Sequence, residues 1–187
     1  MEITHPGAPQ PPNGLQVSLE TRPPGKVELK PGVDHRLRIH AGEPMRGACP
    51  AQGFVYTQGD VDLFPAGMED AWDAREPSTA LMLSLSPALL RRAAQELGLD
   101  PERTGLAPRH MFRDPQNEPN AWALEADRRA GHPAGRPYAE SLGLALALHL
   151  IGRYPEAQRP RGGLTRRQLE RVTDHIEAHL RQDPSLP

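Results

Sequence analysis

Trp72, Met82 and Ser84 are side chains that can hold a small organic molecule: an indole to stack on it, a thioether to fill irregular apolar space and a hydroxyl to orient it. Alternation suggests where two of them point. Along Thr79-Ala80-Leu81-Met82-Leu83-Ser84-Leu85 the three leucines share one face of a strand, and Ala80, Met82 and Ser84 share the other. The leucines suit packing beneath the helices that follow, which turns Met82 and Ser84 toward a cavity. Trp72 reads equally well as a core aromatic whose N–H needs a partner. His175 and His179 are four residues apart, as zinc ligands can be. Glu177 between them is out of place for a protease motif, and both read more simply as solvated helix residues. Ser141 after Glu140 has no glycine elbow, and the chain has no Gly-rich phosphate loop. Cys49, the single cysteine, excludes an internal disulfide, fits a reducing compartment and reads as a small loop or core residue.

Composition narrows the classes. A net charge of -2 over 187 residues supplies no basic field for non-specific nucleic-acid binding. Met1-Glu2-Ile3-Thr4-His5 has neither the basic start nor the apolar core of a signal peptide. The most apolar stretch, Leu142 to Ile151, is far below the ~20 residues that span a bilayer. A cytoplasmic protein with no membrane partner is expected.

The elements that must position these side chains change character along the chain. Residues 1–14, with Pro6, Pro9, Pro11, Pro12 and Gly14, read as a flexible arm. Residues 15–85 have a period near two, with Val17 and Leu19, Val27 and Leu29, then His35, Leu37 and Ile39 alternating with Arg36, Arg38 and His40. Turns at Pro23-Pro24-Gly25, Pro31-Gly32, Gly42-Glu43-Pro44 and Pro65-Ala66-Gly67 separate the runs, which predicts an antiparallel barrel or sandwich.

Residues 86–154 read as a helical layer. Ser86 and Pro87 open a helix that Gly98 closes, Asp114 and Pro115 precede a second running to Arg129, and a third spans Pro137 to Tyr154. That third helix carries two apolar stripes, Leu142, Leu146 and Leu150 on one and Leu144, Leu148 and Ile151 on the other. A surface helix needs only one, so the second is expected to bury against the barrel or another subunit. Either stripe can form the dimer contact. Residues 155–163 have linker composition, and residues 164–187 give one more helix, with Thr165 as N-cap and Leu169, Val172, Ile176 and Leu180 as its stripe.

Two stretches resemble known families. Arg171-Val172-Thr173-Asp174-His175-Ile176-Glu177-Ala178-His179-Leu180, followed by Pro184-Ser185-Leu186, resembles the opening of the two-helix-turn-helix DNA-binding domain of the AraC/XylS family of bacterial transcription regulators, with His175 where an aromatic residue is usual. Gly59-Asp60-Val61-Asp62-Leu63-Phe64-Pro65-Ala66-Gly67-Met68-Glu69-Asp70 resembles the second cupin motif, with Asp70 in place of its metal-binding histidine. The resemblance implies a cupin-like antiparallel β-barrel, a helical dimerisation layer and one additional C-terminal helix that begins a truncated DNA-binding domain. The expected fold class is α+β. It also implies a barrel that senses a small-molecule effector without a metal or other cofactor, a homodimer, and contact with DNA only through the missing domain.

By that resemblance the ligand-binding set is Lys30, His35, Asp70, Trp72, Met82 and Ser84, and the dimerisation set is Leu142, Leu144, Leu146, Leu148 and Ile151. Lys30 and His35 also read as a solvated edge lysine and a hydrogen-bonded barrel histidine. Glu28, His35 and Asp70 have the ligand chemistry for a divalent metal, which keeps a cupin-type metal-dependent enzyme as the alternative to a non-enzymatic sensor. A constitutive dimerisation scaffold is a third reading.

Overall fold

The computed structural model describes residues 14–156. The expected arm up to residue 13, the linker from residue 157 onward and the C-terminal helix lie outside the described residues.

Eight strands come first: β1 (Leu15–Arg22), β2 (Gly25–Leu29), β3 (His35–His40), β4 (Met45–Cys49), β5 (Gln52–Tyr56), β6 (Asp60–Phe64), β7 (Asp70–Ala74) and β8 (Ser78–Leu85). Then follow α1 (Pro87–Glu96), β9 (Arg109–Arg113), α2 (Asn117–Arg129) and α3 (Gly135–Arg153). All ladders are antiparallel, and they form two sheets, β1-β8-β3-β6-β9 and β2-β7-β4-β5. The α+β class is as expected, but the sheets are not closed into a barrel. Proline supplies part of the reason. Pro23-Pro24 stands between β1 and β2, and Pro77 between β7 and β8, where a residue with no N–H cannot continue a ladder from one sheet to the other.

The five-stranded sheet is covered on its apolar face by helices. Leu37 and Ile39 of β3, Val61 and Leu63 of β6 and Leu81, Leu83 and Leu85 of β8 share that face and join Leu89 and Leu90 of α1 and Leu146 and Leu150 of α3 in one core. Each such side chain contributes about 1.5–3 kcal/mol by leaving water.

Local signals set the helix starts. The Ser86 hydroxyl accepts the Leu89 N–H at 3.2 Å, Pro87 occupies the first turn, and Gly98 (φ +67°) lets the chain leave α1. Asp114 accepts the N–H groups of Gln116 and Asn117 at the start of α2, and its Oδ2 also meets His149 and the Tyr154 hydroxyl, both at 3.0 Å. That carboxylate therefore ties the start of α2 to the end of α3, and it holds the Tyr154 phenol up to about 12 with burial as the larger cause.

The two stripes of α3 do not part cleanly. Leu146 and Leu150 are 0% exposed and Ile151 2% exposed within the single chain, so two members of the first stripe and one of the second are already core. Leu142, Leu144 and Leu148 are half-buried and pack at the margin of that core. They are the members of the set with surface left to offer. β9 is an element the sequence did not announce: Arg-His-Met-Phe-Arg has no apolar alternation, and its ladder with β6 is interrupted by an irregularity where Met111 takes φ +50°.

Candidate functional site

The other face of the five-stranded sheet is polar and is covered by the second sheet. Register places Arg36, Arg38 and His40 of β3 opposite Ser84, Met82 and Ala80 of β8, and Arg38 opposite Asp62 of β6. From the four-stranded sheet, Asp70 and Trp72 of β7 and Gln52, Phe54 and Tyr56 of β5 line the same inter-sheet space. Gly47 of β4 allows this: a Cβ there would collide with the Phe54 ring and with the Asp73 carbonyl.

These residues enclose a cavity of about 150 Å³, walled by Arg38, Phe54, Tyr56, Asp70, Trp72 and His110 and floored by Asp62. A hollow of about 20 Å³ lies on the other side of Arg38, Phe64 and Trp72, and Met82 lines it. The indole of Trp72 lies nearly parallel to Phe64, 6.3 Å between centroids and 7° between planes, so the pair partitions the two spaces.

The floor is a buried ion pair. Arg38 Nη1 donates to Asp62 Oδ2 at 3.0 Å, with side chains 7% and 2% exposed, and Nη2 donates to Ser78 Oγ at 2.6 Å. The guanidinium also sits over the Tyr56 ring at 5.0 Å and the Trp72 ring at 5.8 Å. Asp62 Oδ1 accepts from the Tyr56 hydroxyl at 2.6 Å and the Met111 N–H at 3.1 Å, with His110 Nδ1 at 3.6 Å. Burial pushes the Asp62 pKa up, but His110, Arg38, Tyr56 and the Met111 amide together outweigh it, and the net shift is down. The same contact raises His110 against the opposing effect of burial, and burial with the Asp62 charge raises Tyr56.

Asp70 differs from Asp62. Its Oδ1 accepts only the adjacent Ala71 N–H, at 2.8 Å, and it makes no ion pair with a described residue. Its charge reaches both Tyr56 and His110.

Of the side chains expected to bind ligand, Asp70 and Trp72 line the larger cavity and Met82 the smaller hollow. Ser84 shares the inter-sheet face of β8 but lines neither space. Lys30 is exposed. His35 shares the face of Leu37 and Ile39, away from the inter-sheet space, where its Nδ1 accepts the Ala66 N–H at 3.2 Å. Burial lowers its pKa. Glu28 is exposed and paired with Lys26 at 2.7 Å, so Glu28, His35 and Asp70 do not converge, and no cluster suited to a metal occurs among the described residues.

Arg38, Tyr56, Asp62 and His110 line the cavity, and none of them was singled out as a site residue from the sequence. A signal was present in the apolar flanks, Leu37 and Ile39 around Arg38 and Val61 and Leu63 around Asp62. Charges within such runs are worth pairing when a second sheet can cover them.

No protein-family model and no curated protein matches the chain. Among solved structures it is similar to ToxT from Vibrio cholerae, with 7% identity over 88% of this chain and 65% of that one, at a TM-score of 0.51. An unsaturated fatty acid bound structure of wild-type ToxT from strain SCE256 of that organism matches at 8% identity, over 88% of this chain and 63% of that one, again at 0.51. The AraC-like transcriptional activator CuxR matches over 94% of this chain and 64% of that one, with 11% identity and a TM-score of 0.46. The chain thus spans just under two thirds of each of these proteins. The ToxT matches, at 7% and 8% identity, show a shared fold. Among the described residues no helix is long and apolar enough to cross a membrane.

Proposed function

We propose that this chain is the effector-sensing and dimerisation region of an AraC-type transcription regulator, which binds a small molecule between its two sheets and relays its state to a DNA-reading domain. The cavity carries the reading. It combines four aromatic rings with one carboxylate that has no ion-pair partner among the described residues, the concave and mostly apolar composition of a ligand site. ToxT, which shares the fold, has been seen with an unsaturated fatty acid bound, and this supports a small-molecule role for the same architecture here.

In this reading the wall residues position a ligand and perform no chemistry. Glu28, His35 and Asp70, the residues weighed for a metal, do not converge among the described residues. The half-buried Leu142, Leu144 and Leu148 of α3 are the proposed contact between two copies. Residues 164–187, by their resemblance, open the DNA-reading part.

A thermal-shift screen of small organic molecules tests the proposal. A ligand at ~100 times its dissociation constant adds about 2.7 kcal/mol. The expected result is at least one compound that raises the melting temperature of the natural sequence and fails to raise that of Trp72→Ala. Hits that stabilise both proteins equally would place binding elsewhere and refute the assignment of this cavity.

A further inference from the structure

Resting on the reading of the inter-sheet cavity as a ligand site, the charges of its wall narrow the ligand class. Arg38 is a cation that lines it, His110 becomes one when protonated, and both face Asp62. Asp62 in turn meets Arg38, Tyr56 and the Met111 amide, so its oxygens are occupied. Asp70 opens on the same space with one hydrogen bond, from its own neighbour's amide. An entering anion would find both cations engaged and would face the Asp70 carboxylate. An entering cation would find a carboxylate with no ion-pair partner among the described residues, with the Trp72 ring two residues along the same strand.

We infer that the cavity takes a small organic ammonium ion, its nitrogen on Asp70 and its apolar body against Trp72. Size sets the limit on that body. A cavity of about 150 Å³ matches one that accommodates a single benzene-sized ring. A one-ring or short branched amine fits.

Three isosteric probes separate charge from shape: benzylammonium, benzyl alcohol and benzoate, each titrated into the 15N-labelled protein. The chain has two tryptophans, so the indole region holds two N–H signals, and Trp72→Phe identifies the relevant one by its loss. Benzylammonium should shift the Trp72 signal with a dissociation constant of about millimolar, as expected for so few atoms, and bind at least tenfold more tightly than benzoate. Asp70→Asn should weaken benzylammonium by about 10- to 100-fold, the loss of one charge-assisted hydrogen bond, and leave benzyl alcohol within about twofold. If benzoate binds as well as benzylammonium, or Asp70→Asn leaves benzylammonium unchanged, the ammonium assignment is overturned while the ligand site stands. If none of the three probes moves the Trp72 signal, the ligand site itself falls, and the ammonium assignment with it.

Discussion

Breaking the Arg38–Asp62 pair from either side should not cost the same. Replacing Arg38 with Met keeps a side chain of similar length and leaves Asp62 with two donors, the Tyr56 hydroxyl and the Met111 amide, and with His110 Nδ1 at 3.6 Å. Replacing Asp62 with Asn leaves the Arg38 guanidinium with the Ser78 hydroxyl and two ring faces, and sets an amide N–H₂ against groups that also donate. Removing one partner of a buried pair costs about 3–5 kcal/mol, and a stranded buried donor about 1–3 kcal/mol. Arg38→Met should therefore fall near the lower figure, about 3 kcal/mol. Asp62→Asn should cost about 5 kcal/mol, a large share of the 5–15 kcal/mol that ordinarily separates folded from unfolded chains. The double variant Arg38→Met with Asp62→Leu removes both charges and should recover much of the loss. Urea unfolding followed by circular dichroism gives all three values. Equal costs for the two single variants, or a larger cost for Arg38→Met, would refute the claim that Asp62 is the hub of the cavity floor.

The remaining expectations concern other parts of the same frame. His35 has its pKa lowered by burial and accepts a hydrogen bond from Ala66 as the neutral ring. The unfolded chain therefore takes up this proton first, and stability should decline as pH falls below about 6.5; His35→Asn, which keeps an acceptor, should flatten that decline in urea midpoints, and unchanged slopes would disprove it. His110 acts in the opposite sense: its raised pKa gives stability that is complete below about 6.5 and fades as pH rises through the folded value, by a modest amount because its side chain is 44% exposed. Gly47→Ala should destabilise by about 1–3 kcal/mol, since its Cβ would meet the Phe54 ring and a backbone carbonyl; a neutral result in thermal melts would contradict the packing described. On α3, Leu146→Arg should give an unfolded or insoluble chain, because it buries a charge in a sealed core, whereas Leu148→Arg should give a folded monomer by light scattering if the natural chain is dimeric. Retention of the dimer by Leu148→Arg would exclude that residue from the contact.

The apolar half of the fold was legible and the polar half was not, for a physical reason. Leu81, Leu83 and Leu85 share the helix-covered face because alternation and the following Ser86-Pro87 helix start agree with each other. Arg38 and His40 alternate in the same way, and alternation alone assigns such residues to water. A second sheet lies over that face, so both are buried, and Arg38 forms part of the cavity wall. No local pattern announces which face a distant sheet will cover. Trp72 and Asp70 were found because they follow a turn with a recognisable spacing, Pro65-Ala66-Gly67, where Gly67 takes φ +78°. His35 lies apart from them for the converse reason: grouped by parity with Leu37 and Ile39, it belongs to their face and not to the cavity's. β9 escaped because Met111 breaks its regularity, although that irregularity is what brings His110 and the Met111 amide to Asp62.

Amide hydrogen exchange, measured with and without a saturating hit from the thermal-shift screen, tests the central claim most directly because it reports where a bound molecule acts. Slowed exchange is expected to concentrate in β5, β7 and β9, the strands that carry Phe54 and Tyr56, Asp70 and Trp72, and His110 and Met111. Protection confined to α1, α2 and α3, with those three strands unchanged, would contradict it.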